Sequence, residues 1–342
     1  MARALVTSVQ SYATFKGWAL PVLQTYAARS LRTKSNALYQ LCYTRTLHPD
    51  LPPKEPLRNQ DMLWAMLGLS SGASNHKVRA QRTGTMNVAG CAMEYRRSLA
   101  GPGIILSSEA VGATHDYLHV YALNNRVEGS NWRVAANVKP VDIPEVTRRM
   151  AQVLDFFANC GHFKVTAPGS ASKPDSMIMY LAHDGAYAQT EQAVRDALDG
   201  LAIQETFAPM WNELAPGVAV GAEPPKVQNV GGSSFGSYRC LLTAMAFDWA
   251  VQNHVPGHPE NLTAQDFGAA MDAFFNSYGV PANAPHDQYQ LVIGVAPQLP
   301  AARTSYITQG QWDAYLAAFA ISNGQAANSY AGRAIENRPV IV

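Results

Sequence analysis

Residues 231–247, GGSSFGSYRCLLTAMAF, run a Gly/Ser loop straight into a strongly apolar stretch with Arg239 near the junction. Unpaired backbone N–H groups at a helix start, aided by the helix dipole, attract negative charge. Arg239 adds a permanent planar cation whose fork of donors fits phosphate. Ser234 and Gly236 belong to the loop that would cradle such a group. The same composition also describes a flexible connection carrying a surface arginine. An anion site, and specifically a phosphate site, is the chemistry these residue types favour.

Strand periodicity supplies further members. Side chains alternate across a strand. In NWRVAANVKP, residues 131–140, Arg133, Ala135, Asn137 and Lys139 share one face, opposite Trp132, Val134, Ala136 and Val138. In HFKVTAP, residues 162–168, His162, Lys164 and Thr166 share a face. In SMIMYLA, residues 176–182, Ser176, Ile178 and Tyr180 do so. If these strands lie in one sheet, Arg133, Lys164 and Tyr180 project from a common polar face. With Arg239 they make a cationic pocket with one phenol. The alternative for each Lys or Arg taken singly is a solvated position on the open face of a half-buried strand.

The elements that must position these groups read as follows. Apolar spacing predicts helices over 18–28, 35–43 and 59–69, broken by the Pro-rich HPDLPPKEP stretch. Residues 71–111 carry a weaker, Gly-rich pattern with no assignable elements. Strands are predicted over 114–123, 132–139, 162–167, 176–182 and 218–223, with NNRVEGSN as a turn after the first. Helices are predicted over 143–160, 189–201, 266–278 and 311–322. Asp142 and Glu145 have capping-box spacing at the start of the first of these. Hairpin strands mixed with helices indicate an α+β fold, with a central antiparallel or mixed sheet flanked by helices and a helical N-terminal region. The expected division is a helical region over 1–75, an α+β domain over 76–289 and a helical extension and tail over 290–342.

Composition bounds the function. The chain has 342 residues, 47% hydrophobic and 15% charged, with a formal net charge of +1. That describes a folded globule with no bulk attraction to nucleic acid or acidic membrane. No basic stripe interleaved with aromatics is present, and no apolar run reaches bilayer-spanning length. Cys42, Cys91, Cys160 and Cys240 form no C-x-x-C pair, so no zinc site, disulfide framework or other metal site is expected. No Asp or Glu precedes Asp50, whereas Arg3, Lys16, Arg29, Arg32, Lys34 and Arg45 do. Such a segment is either a targeting address or a basic helical face that pairs with a more acidic body.

Four segments in order resemble the HopA-type type III secretion effector family. They are NWRVAANVKP, the following helix with HFKVTAPGSASKPDSMIMYLAHD, FAPMWNELAPGVAVGAEPP, and SSFGSYR with its helix. The resemblance spans about residues 131–253. Some members of that family are effectors delivered into plant cells. Others accompany kinase-like partners in lanthipeptide biosynthesis, where they are taken to remove phosphate from phosphoserine or phosphothreonine. The motif order is also distantly similar to phosphothreonine lyases.

The resemblance implies β-elimination of phosphate from a phosphorylated peptide or protein, with no cofactor. Lys164 matches the base position. Such a lysine must be neutral, which burial or neighbouring cations favour. Arg133 and Arg239 match phosphate-clamp positions, and Lys173 falls where peptide-pathway members often carry Arg. Tyr180 matches a pocket tyrosine, and Asp175 opens its strand. Glu223 either orients a clamp arginine or forms a structural ion pair. One position departs from the pattern: two residues beyond the strand cation the lyases carry a His acid and the peptide-pathway proteins often a Tyr, whereas this chain has Ala135. His119, His162 and Tyr180 are the candidate replacements. His119 shares its strand face with His115, Tyr117 and Tyr121, which would equally suit a packed aromatic layer. The contrasting expectation is a non-catalytic effector that binds phosphopeptide or protein. The implied partners are a kinase-like enzyme or a secretion chaperone. The implied locations are the bacterial cytoplasm or, alternatively, the interior of a host cell.

Overall fold

Alternating apolar residues in the centre of the chain build a sheet whose strands over 132–136, 160–166, 177–181 and 218–222 are largely buried. The structure, a computed structural model, describes residues 5–43, 76–82, 91–98, 101–105, 115–122, 131–166, 174–204, 207–224 and 234–288. Nine strands form the sheet: β1 (His76–Arg82), β2 (Cys91–Ser98), β3 (Gly101–Ile105), β4 (His115–Ala122), β5 (Trp132–Ala136), β6 (Cys160–Thr166), β7 (Met177–Leu181), β8 (Asn212–Ala215) and β9 (Val218–Ala222). Their order is β3-β2-β1-β4-β6-β7-β5-β9-β8, and every pairing is antiparallel. The fold is α+β, as the strand and helix patterns indicate.

The described residues also form six α-helices: α1 (Ser8–Thr25), α2 (Leu31–Cys42), α3 (Ile143–Phe156), α4 (Tyr187–Leu198), α5 (Phe235–His254) and α6 (Ala264–Ser277). Their starts carry legible chemistry. Thr7 caps α1 by accepting from Gln10 N, and the Gln10 side chain accepts in return from Thr7 N, a full capping box. Ser30, Ser234 and Thr263 cap α2, α5 and α6.

The sheet separates two apolar layers. On one face Val134, Ala136, Phe163, Val165, Met177 and Met179 pack against Ile143, Val146 and Met150 of α3 and Val194 and Leu198 of α4. On the other, Ala135, Ile178 and Ala219 meet α5. That helix is buried all round, as its continuous apolar sequence requires, because α1, α2 and α6 cover its far side. The basic N-terminal helices pair with acidic residues of this body: Lys16 lies 2.5 Å from Asp272 of α6, and Lys34 pairs with Asp248 of α5.

Several local expectations are corrected. The strand beginning at Trp132 ends at Ala136, since Val138 makes only an isolated bridge with Ile203 and Pro140 opens a 3-10 turn. The helix from Ile143 stops at Phe156, and Cys160 already belongs to β6. No capping box forms at Asp142: its carboxylate accepts from Ala202 N at 2.6 Å, and Glu145 is held by Arg148 and Arg149. The helix predicted over 18–28 begins ten residues earlier at Ser8 and ends at Thr25. Strands β1–β3 and β8 were not indicated by the sequence pattern. The predicted helices over 59–69 and 311–322 lie outside the described residues.

Candidate functional site

Register settles which side chains meet. Arg133 of β5 lies directly across from Tyr180 of β7, which lies across from His162 of β6. One step along, Ala135, Ile178, Lys164 and His119 form the next row. Directly opposed residues share a face, so Arg133, Lys164 and Tyr180 occupy the same side of the sheet, the side covered by α5. Position 119 joins them in register.

That face is not open to solvent. Arg133, Lys164 and Arg239 are 3%, 4% and 0% exposed, so none is a solvated surface cation. Tyr180 and His162 are half-buried and stack nearly parallel, their ring centroids 4.2 Å apart. The Arg133 guanidinium carbon is 5.1 Å from the Tyr180 ring centre, and Lys164 Nζ is 5.9 Å from it. Phe235 links the sheet to the helix, because both Arg133 (5.8 Å) and Arg239 (3.6 Å) lie over its ring. Three pieces of chain distant in sequence thus gather their cations around two aromatic rings.

Two glycines permit this approach. A Cβ on Gly221, across from Arg133 in register, would stand 2.4 Å from the Phe235 ring. Gly236 is buried against Tyr43, the C-cap residue after α2, whose ring would be 2.6 Å from an added Cβ. Gly236 therefore admits the close approach of Tyr43. Ser234 caps α5 by accepting from Ser237 N at 3.3 Å. Lys173 and residues 231–233 of the Gly/Ser loop lie outside the described residues.

Electrostatics differ among the cations. Burial draws the Arg133 guanidinium down, but Glu223 foremost, with Tyr180 and Asp175, more than restores it, leaving it above its ordinary value. Glu223 pairs directly with Arg133, which joins the two readings made of it, orienting group and ion pair. Asp175 is buried close enough to act on the same guanidinium. Burial, aided by the repulsion of Arg133, pulls Arg239 down to about 10. Its donors reach backbone carbonyls: Nε to Pro285 at 2.8 Å, Nη2 to Asp287 at 3.1 Å and Nη1 to Phe235 at 3.4 Å.

Two buried donors of the cluster lack an acceptor among the described residues: Arg133 Nε and Trp211 Nε1. Trp211 packs 4.3 Å from Phe235 and 5.8 Å from the Arg133 guanidinium. Buried donors are rarely left unmatched; the Glu223 carboxylate, already paired with Arg133, is an acceptor in the same cluster. Trp211, Phe235 and the 285–287 segment were not singled out from the sequence as members of the site. Among the described residues no group of three or more His, Cys, Asp or Glu could hold a metal, and no helix is long and apolar enough to cross a membrane.

Comparison with known proteins agrees with this architecture. No curated protein sequence matches the chain. Two solved effector structures are similar. That of the effector protein from Pseudomonas syringae pv. syringae strain 61 has 13% identity and a TM-score of 0.53, covering 83% of this chain and 99% of that one. That of the effector protein from Pseudomonas syringae pv. tomato strain DC3000 has 14% identity and a TM-score of 0.50, covering 82% and 99%. At such identities the likeness is one of fold. The sequence pattern of the HopA1 effector protein family matches residues 114–277, the stretch that contains β4–β9, α3–α5 and all three buried cations. Residues 114–277, just under half of the chain, are thus similar to the HopA1 effector protein family.

Proposed function

We propose that the chain is an effector that engages a phosphorylated host protein through the Arg133–Lys164–Arg239 face and eliminates its phosphate. The observation that carries this reading is the gathering of three buried cations around Tyr180 and Phe235, with two adjacent donors lacking an acceptor. A phosphate group supplies the acceptors and the negative charge such a cluster calls for. In the reaction, Lys164 takes the Cα proton of phosphothreonine or phosphoserine. The C–H electron pair becomes the Cα=Cβ bond, and the Cβ–O bond breaks with its electrons leaving on phosphate. Arg133 receives the departing group, and Lys164 afterwards returns its proton to water.

A purified chain incubated with a phosphothreonine peptide should release phosphate and leave a dehydroamino acid, detectable by mass spectrometry. Lys164→Ala should lower the rate at least about 10²-fold, the low end for loss of a positioned base. A peptide recovered intact with the native chain overturns the elimination.

The second reading is phosphopeptide binding without turnover, and Ala135 favours it. This residue is fully buried in the row between Ile178 and Ala219 and offers no proton to a leaving group. Calorimetry with the same peptide separates the readings: heat of binding without product supports the second.

A further inference from the structure

The guanidinium of Arg239 already has a bidentate partner. Its Nε and Nη2 donate to the carbonyl oxygens of Pro285 and Asp287, two residues apart on one segment. Paired oxygens in that fork are what a carboxylate or phosphate presents to arginine. The intervening residue, His286, turns the opposite way: its carbonyl accepts from Ala222 N at 2.7 Å, at the end of β9 beside Glu223. Residues 281–288 thus lie across the helix–sheet junction, with alternate carbonyls serving α5 and the sheet.

Outside the site the segment is fastened by few groups. His286 Nδ1 is 2.8 Å from Ser8 Oγ of α1, and the His286 ring stands edge-on to Trp132 at 6.3 Å. Ala282 N donates to Asn276 Oδ1 at 2.9 Å, and Gln288 Nε2 to Tyr278 O at 2.9 Å. Pro281 and Pro285 are its buried members, Asn283 is exposed, and the rest are half-buried. A segment with so little apolar anchorage opens at low cost compared with the core.

We infer that residues 281–288 form an internal strap whose backbone carbonyls occupy Arg239 in place of a phosphate ligand, so that strap and ligand exclude one another. The inference rests on the phosphate reading above and adds its control. The Ser8–His286 contact ties the strap to α1, so loosening the N-terminal helix favours the open site. Conversely, a bound phosphate group that captures Arg239 frees Pro285 O and Asp287 O.

The test uses the full chain and a phosphothreonine peptide. Calorimetry compares the native protein with Ser8→Ala and with His286→Ala; Ser8→Ala is the primary variant, because His286 lies within electrostatic reach of Arg239. Removing one hydrogen bond that closes the strap should tighten peptide binding about fivefold in each variant. Hydrogen exchange on the native protein, which requires no variant, should show faster exchange at Ala222 N and within 282–288 when peptide is bound. Binding of equal strength in all three proteins with unchanged exchange overturns the strap and leaves the phosphate site standing. Binding by the variants alone supports both. Absence of binding by every protein, folded by circular dichroism, overturns both.

Discussion

Gly221 shows how little room the site leaves. Its Cα faces the Phe235 ring, which carries Arg133 on one flank and Arg239 on another. Gly221→Ala forces that ring to shift and should destabilise the fold by about 1–3 kcal/mol, the usual cost of overpacking a filled core; urea denaturation measures it. The same shift moves both guanidiniums, so anion affinity should fall with stability. Of the residue-level chemistry, the shared face of Arg133, Lys164 and Tyr180 was legible because strand alternation is local and strict. Burial of that face was not legible. It depends on α5 lying over β5 and β9, and nothing in NWRVAANVKP records which helix will cover it. The employment of Arg239 by Pro285 and Asp287 was hidden for the same reason, since those carbonyls arrive from 46 and 48 residues downstream.

At the scale of elements, a cap and an apolar face are separate signals, and α1 shows one without the other. The start of α1 was missed because residues 8–17 mix Ser, Gln, Thr and Lys with a glycine and blur the apolar period. The signal that could have placed it was Thr7 followed by Gln10. Thr7→Ala removes the acceptor for Gln10 N and should cost about 1 kcal/mol, read from the shift in thermal midpoint. Asp142 and Glu145 show the reverse error, in which correct spacing is overruled by tertiary partners. The Asp142 side chain binds Ala202 N, and two arginines one turn along α3 hold Glu145 well below the usual carboxylate range. Strands β5–β7 and β9 were readable because each is a run of alternating or apolar residues. Strand β8 has only four residues, two of them Asn and Glu, and no pattern that short separates a strand from a loop.

For the molecule as a whole, the acid-free N-terminal sequence acquires a structural use. Lys34 is 4% exposed and pairs with Asp248, whose carboxyl is pushed up by burial although Lys34 opposes that rise. Lys34→Met alone strands a buried carboxylate and should cost about 3–5 kcal/mol, whereas Lys34→Met combined with Asp248→Leu should be near neutral or stabilising. Denaturation midpoints of the two variants decide it: equal losses would mean the pair is not a coupled unit.

The wide sequence separation of these pairs has a kinetic consequence. Lys34 waits for a partner 214 residues later, and Lys16 for one 256 residues later. Contacts that span so much chain form late, because closure entropy must be met before they contribute. During synthesis the first two helices therefore remain undocked until almost the entire described length has emerged.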